Sequence, residues 1–177
     1  MVDRLSYRTG LPAVIAKGFS PTQCGGWRIN VNRPTERSYP GGEIEIGSER
    51  AQMVYRSLKD AVVSASQNNL NLYIDIHQNG GQSTIEVATV GISEKEARLI
   101  KRTYREIRDR LLVDAPDVRS VDLLIEPLDK IEIGARAAKA HGILSVAKKS
   151  LHFELPLYAR FGRPKLASVT QRYSPPF

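Results

Sequence analysis

Apolar and polar residues alternate most regularly at positions 71–78, N-L-Y-I-D-I-H-Q, where Leu72, Ile74 and Ile76 are interleaved with Tyr73, Asp75 and His77. A period of two with β-branched and aromatic content predicts a buried strand, and Gly80-Gly81 marks its end. Further strands are predicted at 83–90, 121–125 and 150–155, the last stopped by Pro156. Residues 28–33 alternate in the same way up to Pro34. Elsewhere the period is helical. Val54, Leu58, Ala61, Val62 and Ala65 form one apolar face, and Ser48 is placed to cap a helix over 48–68. Ser93-Glu94-Lys95-Glu96 has the form of a capping box. It opens a helix to about residue 112, with Ala97, Ile100, Tyr104, Ile107 and Leu111 on one side and Pro116 beyond its end. A third helix is expected at 132–141, ended by Gly142. Residues 11–16 read as a short helix or a buried turn. The Pro-, Gly- and Ser-rich segment 35–47 reads as a loop with one short alternating piece, 43–46.

Strands alternating with helices predict an α/β fold, with a mixed, mostly parallel sheet flanked by helices. The length suits a single domain over residues 1–177. Composition changes this picture little, but it removes several classes of function. No stretch approaches the roughly 20 apolar residues of a membrane span. Charges interrupt the N-terminus at once, so no signal peptide is expected and the cytoplasm is the default compartment. Cys24 is the only cysteine, which excludes an internal disulfide and a zinc cage built of thiolates.

Charge raises a question of partners. The 26 Lys and Arg against 19 Asp and Glu leave +7, a balance that suits polyanions or acidic substrates. Lys95, Arg98, Arg102 and Arg105, with Lys101 and Arg108 nearby, form a basic stripe on the helix from Ser93. Lys148, Lys149, Arg160, Arg163, Lys165 and Arg172 add to it. Glu94, Glu96, Glu106 and Asp109 are spaced to pair with this stripe, so a solvated face is expected rather than a nucleic-acid reader.

The candidate chemistry lies at predicted strand ends, where open α/β sheets place their ligands. Asn32-Arg33 ends one strand and His77 another, while His152 and Glu154 share a face of the last by their i, i+2 spacing. Each has a plain structural use as well. His77 can cap a loop carbonyl, Arg33 can pair with Glu36 or Glu43, and Glu154 can pair with a nearby Lys or Arg. His141, next to Gly142, is placed to cap a helix end.

An asparagine-arginine pair, a strand-end histidine in Ile-Asp-Ile-His and a glutamate in His-Phe-Glu-Leu, in that order, resemble the zinc metallocarboxypeptidase superfamily. That superfamily includes the succinylglutamate desuccinylase and aspartoacylase-like amidohydrolases, and the resemblance runs from about Trp27 to Arg160. It implies a carboxypeptidase-like (phosphorylase/hydrolase-like) fold and zinc-dependent hydrolysis of amide or peptide bonds. Within it His77 is a zinc ligand, Glu154 the general base that activates water, and Arg33 the group that binds a carboxylate or polarises the carbonyl. Asn32 accompanies Arg33 in binding substrate; His152 is placed to line the pocket by its spacing from Glu154, not by the resemblance. The implied partner is a peptide or acyl-amino-acid substrate bearing a carboxylate. The family draws its first two zinc ligands from a His-x-x-Glu motif upstream of the Asn-Arg pair, and no histidine precedes Asn32 here. The expectation is therefore the C-terminal part of a longer enzyme, holding zinc weakly by itself and inactive alone, with an exposed sheet edge that a second copy can cover. A non-catalytic binding module on the same fold, retaining Arg33 for acidic groups, is the alternative.

Overall fold

Leu72–Asn79 (β3), Ile85–Val90 (β4), Leu123–Ile125 (β5) and Lys149–Pro156 (β6) form the main sheet of the computed structural model, in the order β3-β6-β4-β5. The structure describes residues 2–42, 44–79, 81 and 83–156, so the basic tail residues Arg160, Arg163, Lys165 and Arg172 lie outside it. The chain divides into two compact units, Met1–Tyr73 with Arg136–Lys148, and Ile74–Ala135 with the chain from Lys149 on. The architecture is mixed α/β, and the sheet is mixed: β4 runs parallel to β5 and antiparallel to β6.

The second unit shows how alternation sorts the sheet into two faces. Residues directly opposite in an antiparallel pair share a face. Val87 opposes Phe153 and Thr89 opposes Leu151, whereas Glu86 opposes Glu154 and Ala88 opposes His152. The first set faces helix α3 (Glu94–Val113). Val87, Leu123, Ile125 and Leu151 pack there with Ala97, and Ile100 and Tyr104 extend the contact. Full burial of a side chain such as Ile125 contributes about 1.5–3 kcal/mol, so this face holds the unit together. The second set is buried and, apart from Ala88, polar. Helix α3 starts where the capping box predicts, with Ser93 Oγ accepting from Glu96 N and the Glu96 carboxylate accepting from Ser93 N.

In the first unit, Trp27–Ile29 (β1) and Glu36–Ser38 (β2) pair as an antiparallel hairpin, followed by helix α2 (Glu49–Ala65). Ser48 caps α2 as expected, accepting from Ala51 N at 3.0 Å. Arg136–His141 (α4) and the 3-10 turn Ile143–Ser145 complete it. The carbonyl of Asn32 accepts from Ile143 N at 2.9 Å, which ties the hairpin loop to that turn.

Several expectations shift at their edges. The strand predicted over 28–33 stops at Ile29, because Asn30 N donates to Thr35 O and the chain turns back. Asn32 and Arg33 therefore lie in a hairpin loop rather than at the end of a strand. Helix α2 ends at Ala65 instead of 68, since Gln67 and Asn68 take left-handed backbone angles. The helix predicted over 132–141 begins only at Arg136. The N–H groups of Glu132 and Ile133 donate to the buried carboxylate of Glu86, and Ala135 is left-handed at φ 47°, so no helix can run through them. Residues 11–16 form no regular structure and are largely exposed, while the short helix α1 (Val2–Thr9) was not anticipated.

Candidate metal centre

Two strands assemble the site. Asp75 and His77 stand two residues apart on β3, and His152 and Glu154 two apart on β6, so each pair shares one face of its strand. The strands are neighbours in the sheet, and the four side chains join in a chain. His77 Nε2 lies 3.0 Å from Asp75 Oδ1, Asp75 Oδ2 lies 2.9 Å from His152 Nδ1, and His152 Nε2 lies 3.0 Å from Glu154 Oε1. The two imidazole rings are 4.6 Å apart between centroids, tilted by 43°. His152, Glu154 and Asp75 are buried, while the His77 side chain keeps 32% of its exposure.

Carboxylates only accept, so each contact fixes a donor. His77 donates from Nε2 to Asp75, and His152 donates from Nδ1 to Asp75 and from Nε2 to Glu154. Burial opposes a charge on His152, but the hydrogen bonds and attraction of Asp75 and Glu154 outweigh it and push its pKa up to about 9. Burial likewise opposes ionisation of Asp75, yet hydrogen bonds from His152 and His77 hold its carboxyl well below the usual carboxylate range. An unpaired buried charge would cost several kcal/mol, and here each offsets the other.

The same arrangement is a group able to hold a metal ion. Asp75, His77 and His152 each offer one ligand atom, and the three atoms lie within 4.8 Å of one another. Two imidazoles and one carboxylate form a donor set used by catalytic zinc and by some non-haem iron sites.

The chain matches no protein-family model, no curated protein and no solved structure. The reading of the site therefore rests on its own geometry.

The structure brings three of the candidate residues together, His77, His152 and Glu154. His77 is not the last residue of its strand but lies two positions before Asn79, inside the ladder. Asn32 and Arg33 belong to the other unit. Arg33 makes an ion pair with Glu45, while Glu36 pairs with Arg50 and Glu43 lies outside the described residues. Arg33 Nε donates to Glu45 Oε2 at 2.9 Å, Nη2 reaches Oε1, and Nη1 donates to Asn32 Oδ1 at 3.2 Å. Thr35 adds a hydroxyl at 2.8 Å, and the Glu45 pKa falls to about 2, chiefly through the Arg33 hydrogen bond. Asp75 is the residue that the sequence reading left without a role. Its signal was present as Asp-x-His on one strand face, but its partner His152 is 77 positions away and declares itself only when β6 lies beside β3.

Along α3 the cations are taken up locally. Arg98 pairs with Glu94, Arg102 with Glu106, Lys101 with Asp129, and Arg108 with Asp109 and Asp122. Lys149, at the start of β6, pairs with Glu96. These pairs lace the stripe, in which Lys95, Arg98, Arg102 and Arg105 are exposed.

Proposed function

We propose that this chain is a zinc-dependent hydrolase of amide or peptide bonds, of the metallocarboxypeptidase or N-acyl-amino-acid amidohydrolase type. The observation that carries the reading is the meeting of His77 and Glu154, through Asp75 and His152, on one polar face of the sheet. Hydrolysis of an amide needs a group that takes a proton from water and returns it to the leaving amine. Glu154 fills that role. It sits on a rigid strand, and the hydrogen bond from His152 fixes its orientation. A zinc ion, when bound, supplies Lewis acidity for the carbonyl and makes water acidic enough to react near neutral pH. Asn32 and Arg33 are assigned to the substrate carboxylate by resemblance. Glu45 occupies the fork of Arg33.

One observation favours a second reading, a non-catalytic binding module without metal: both ring nitrogens of His152 are engaged by carboxylates. An assay separates the two. Peptides with a free C-terminal carboxylate and a set of N-acyl amino acids are incubated with the protein, with added zinc or with a chelator. Turnover that requires zinc and disappears in Glu154→Gln supports the hydrolase. Protein that turns over none of them, with or without added zinc, leaves the binding module standing.

A further inference from the structure

The sequence leads to the expectation that His77 is a lone ligand, unable to hold zinc without a segment from upstream. We infer instead that Asp75, His77 and His152 make a complete three-ligand zinc site within this chain, with Glu154 outside the ligand set. The inference deepens the hydrolase reading and rests on it for the use to which the ion is put.

The aim of the ring nitrogens carries the argument. His77 turns Nε2 and His152 turns Nδ1 toward opposite oxygens of the same carboxylate, at 3.0 and 2.9 Å. Two imidazole nitrogens and a carboxylate oxygen therefore face one small volume, and a cation placed there takes the position of the two protons that now bridge them. Ligands about 2.1 Å from a tetrahedral zinc stand about 3.4 Å from one another. The present spread is within 4.8 Å, so the three atoms need approach one another by no more than about 1.4 Å to reach it.

The remaining nitrogen of His152 supports the same assignment. A metal-ligating histidine almost always donates its other N–H to a carboxylate or carbonyl, which fixes both tautomer and ring orientation. His152 Nε2 already donates to Glu154 Oε1 at 3.0 Å. Nδ1 is thus the ligating atom, and Glu154 keeps its present hydrogen bond when the ion is in place. Three protein ligands leave the fourth position of a tetrahedral ion for water or substrate, as catalytic sites require. The donor set also excludes the hard alkaline-earth ions. Calcium and magnesium take mainly oxygen ligands, six or more of them for calcium and octahedral for magnesium, so two imidazoles beside one carboxylate suit neither.

The test is a metal titration of the untagged chain without substrate, near neutral pH, after treatment with a chelator. Zinc is followed by calorimetry, cobalt(II) by its visible absorption, and magnesium and calcium serve as competitors. One equivalent of zinc should bind, unaffected by a large excess of magnesium or calcium. Cobalt should show the absorption of a four- or five-coordinate nitrogen and oxygen site. His77→Ala, His152→Gln and Asp75→Asn should each weaken zinc by more than about 100-fold, exceeding the 10–100-fold typical of a lost second-shell contact. Glu154→Gln, which alters only the outer hydrogen bond to His152, should weaken zinc by no more than about 10–100-fold. Circular dichroism checks that each variant folds, and where Asp75→Asn fails to fold, the His77→Ala result alone decides. Failure to bind one equivalent, or retention of zinc by folded His77→Ala, overturns the site. Zinc held as expected by a protein that hydrolyses no amide would sink the hydrolase reading and leave the site intact. Zinc-dependent hydrolysis with unchanged zinc affinity in His152→Gln would do the reverse.

Discussion

Asp75 Oδ2 lies 2.9 Å from Nδ1 of His152, although 77 positions separate the two residues in the chain. This contact joins two short polar pairs, one on each strand, into a single buried network. It also determines how the network responds to pH. The carboxylate of Asp75 reaches His77 with its other oxygen, so losing it would leave both imidazoles without that acceptor.

In the metal-free protein the His152 pKa is raised from an ordinary 6.5 to about 9. A raised value means that the folded state binds the proton more tightly. Its contribution to stability is therefore complete below about pH 6.5 and is lost as pH rises through 9. Asp75 is shifted the other way, so its contribution is present above its ordinary 3.8 and is lost as pH falls below that. The network should stabilise the fold most between about pH 4 and 6.5. Thermal melts from pH 5 to 9.5 should show a declining alkaline limb, worth about 3 kcal/mol at most. His152→Gln should flatten that limb. An unchanged limb in the variant would assign it to other groups.

Gly142→Ala is expected to destabilise the first unit. A Cβ at Gly142 would meet Asn32 O, with Ala138 Cα 2.8 Å and Ala138 O 2.9 Å away, all of them backbone atoms that cannot swing aside. Overpacking of this kind costs about 1–3 kcal/mol. Denaturant unfolding of the variant measures it, and a loss below about 0.5 kcal/mol would mean that the loop and turn move apart easily.

The Arg33–Glu45 pair lends itself to a double-mutant cycle. Both side chains are half-buried, and the fork is bidentate. Arg33→Ala and Glu45→Ala should each cost about 1–3 kcal/mol, and the double variant clearly less than their sum. Strict additivity would show that the pair contributes nothing through its contact.

The basic face of α3 should not retain nucleic acid. Its arginines and lysines are largely neutralised by neighbours on the helix and at Asp122 and Asp129. Fluorescence anisotropy with a labelled duplex should show no saturable binding at about 150 mM salt. Tight binding with a steep salt slope, reporting several released counterions, would reverse that reading.

Local pattern was enough to place helix α3 and to sort the faces of β4 and β6. The Ser93 capping box and the period of two in Leu151-His152-Phe153-Glu154 act over a few residues, and nothing distant overrides them. The same alternation placed His152 and Glu154 together, and Asp75 with His77, because neighbours at i and i+2 on a strand share a face. Sequence alone could not decide which strands become neighbours. The order β3-β6-β4-β5 sets strands from opposite ends of the unit side by side, a non-local pairing, and burial of Val87, Ile125 and Leu151 against α3 holds β4, β5 and β6 together. That pairing turned a lone candidate ligand, His77, into one of three converging donors. It also decided the start of α4. Glu86 draws the N–H groups of Glu132 and Ile133 to its carboxylate, since a buried carboxylate must be hydrogen-bonded, and a helical pattern in residues 132–135 gives way to that demand.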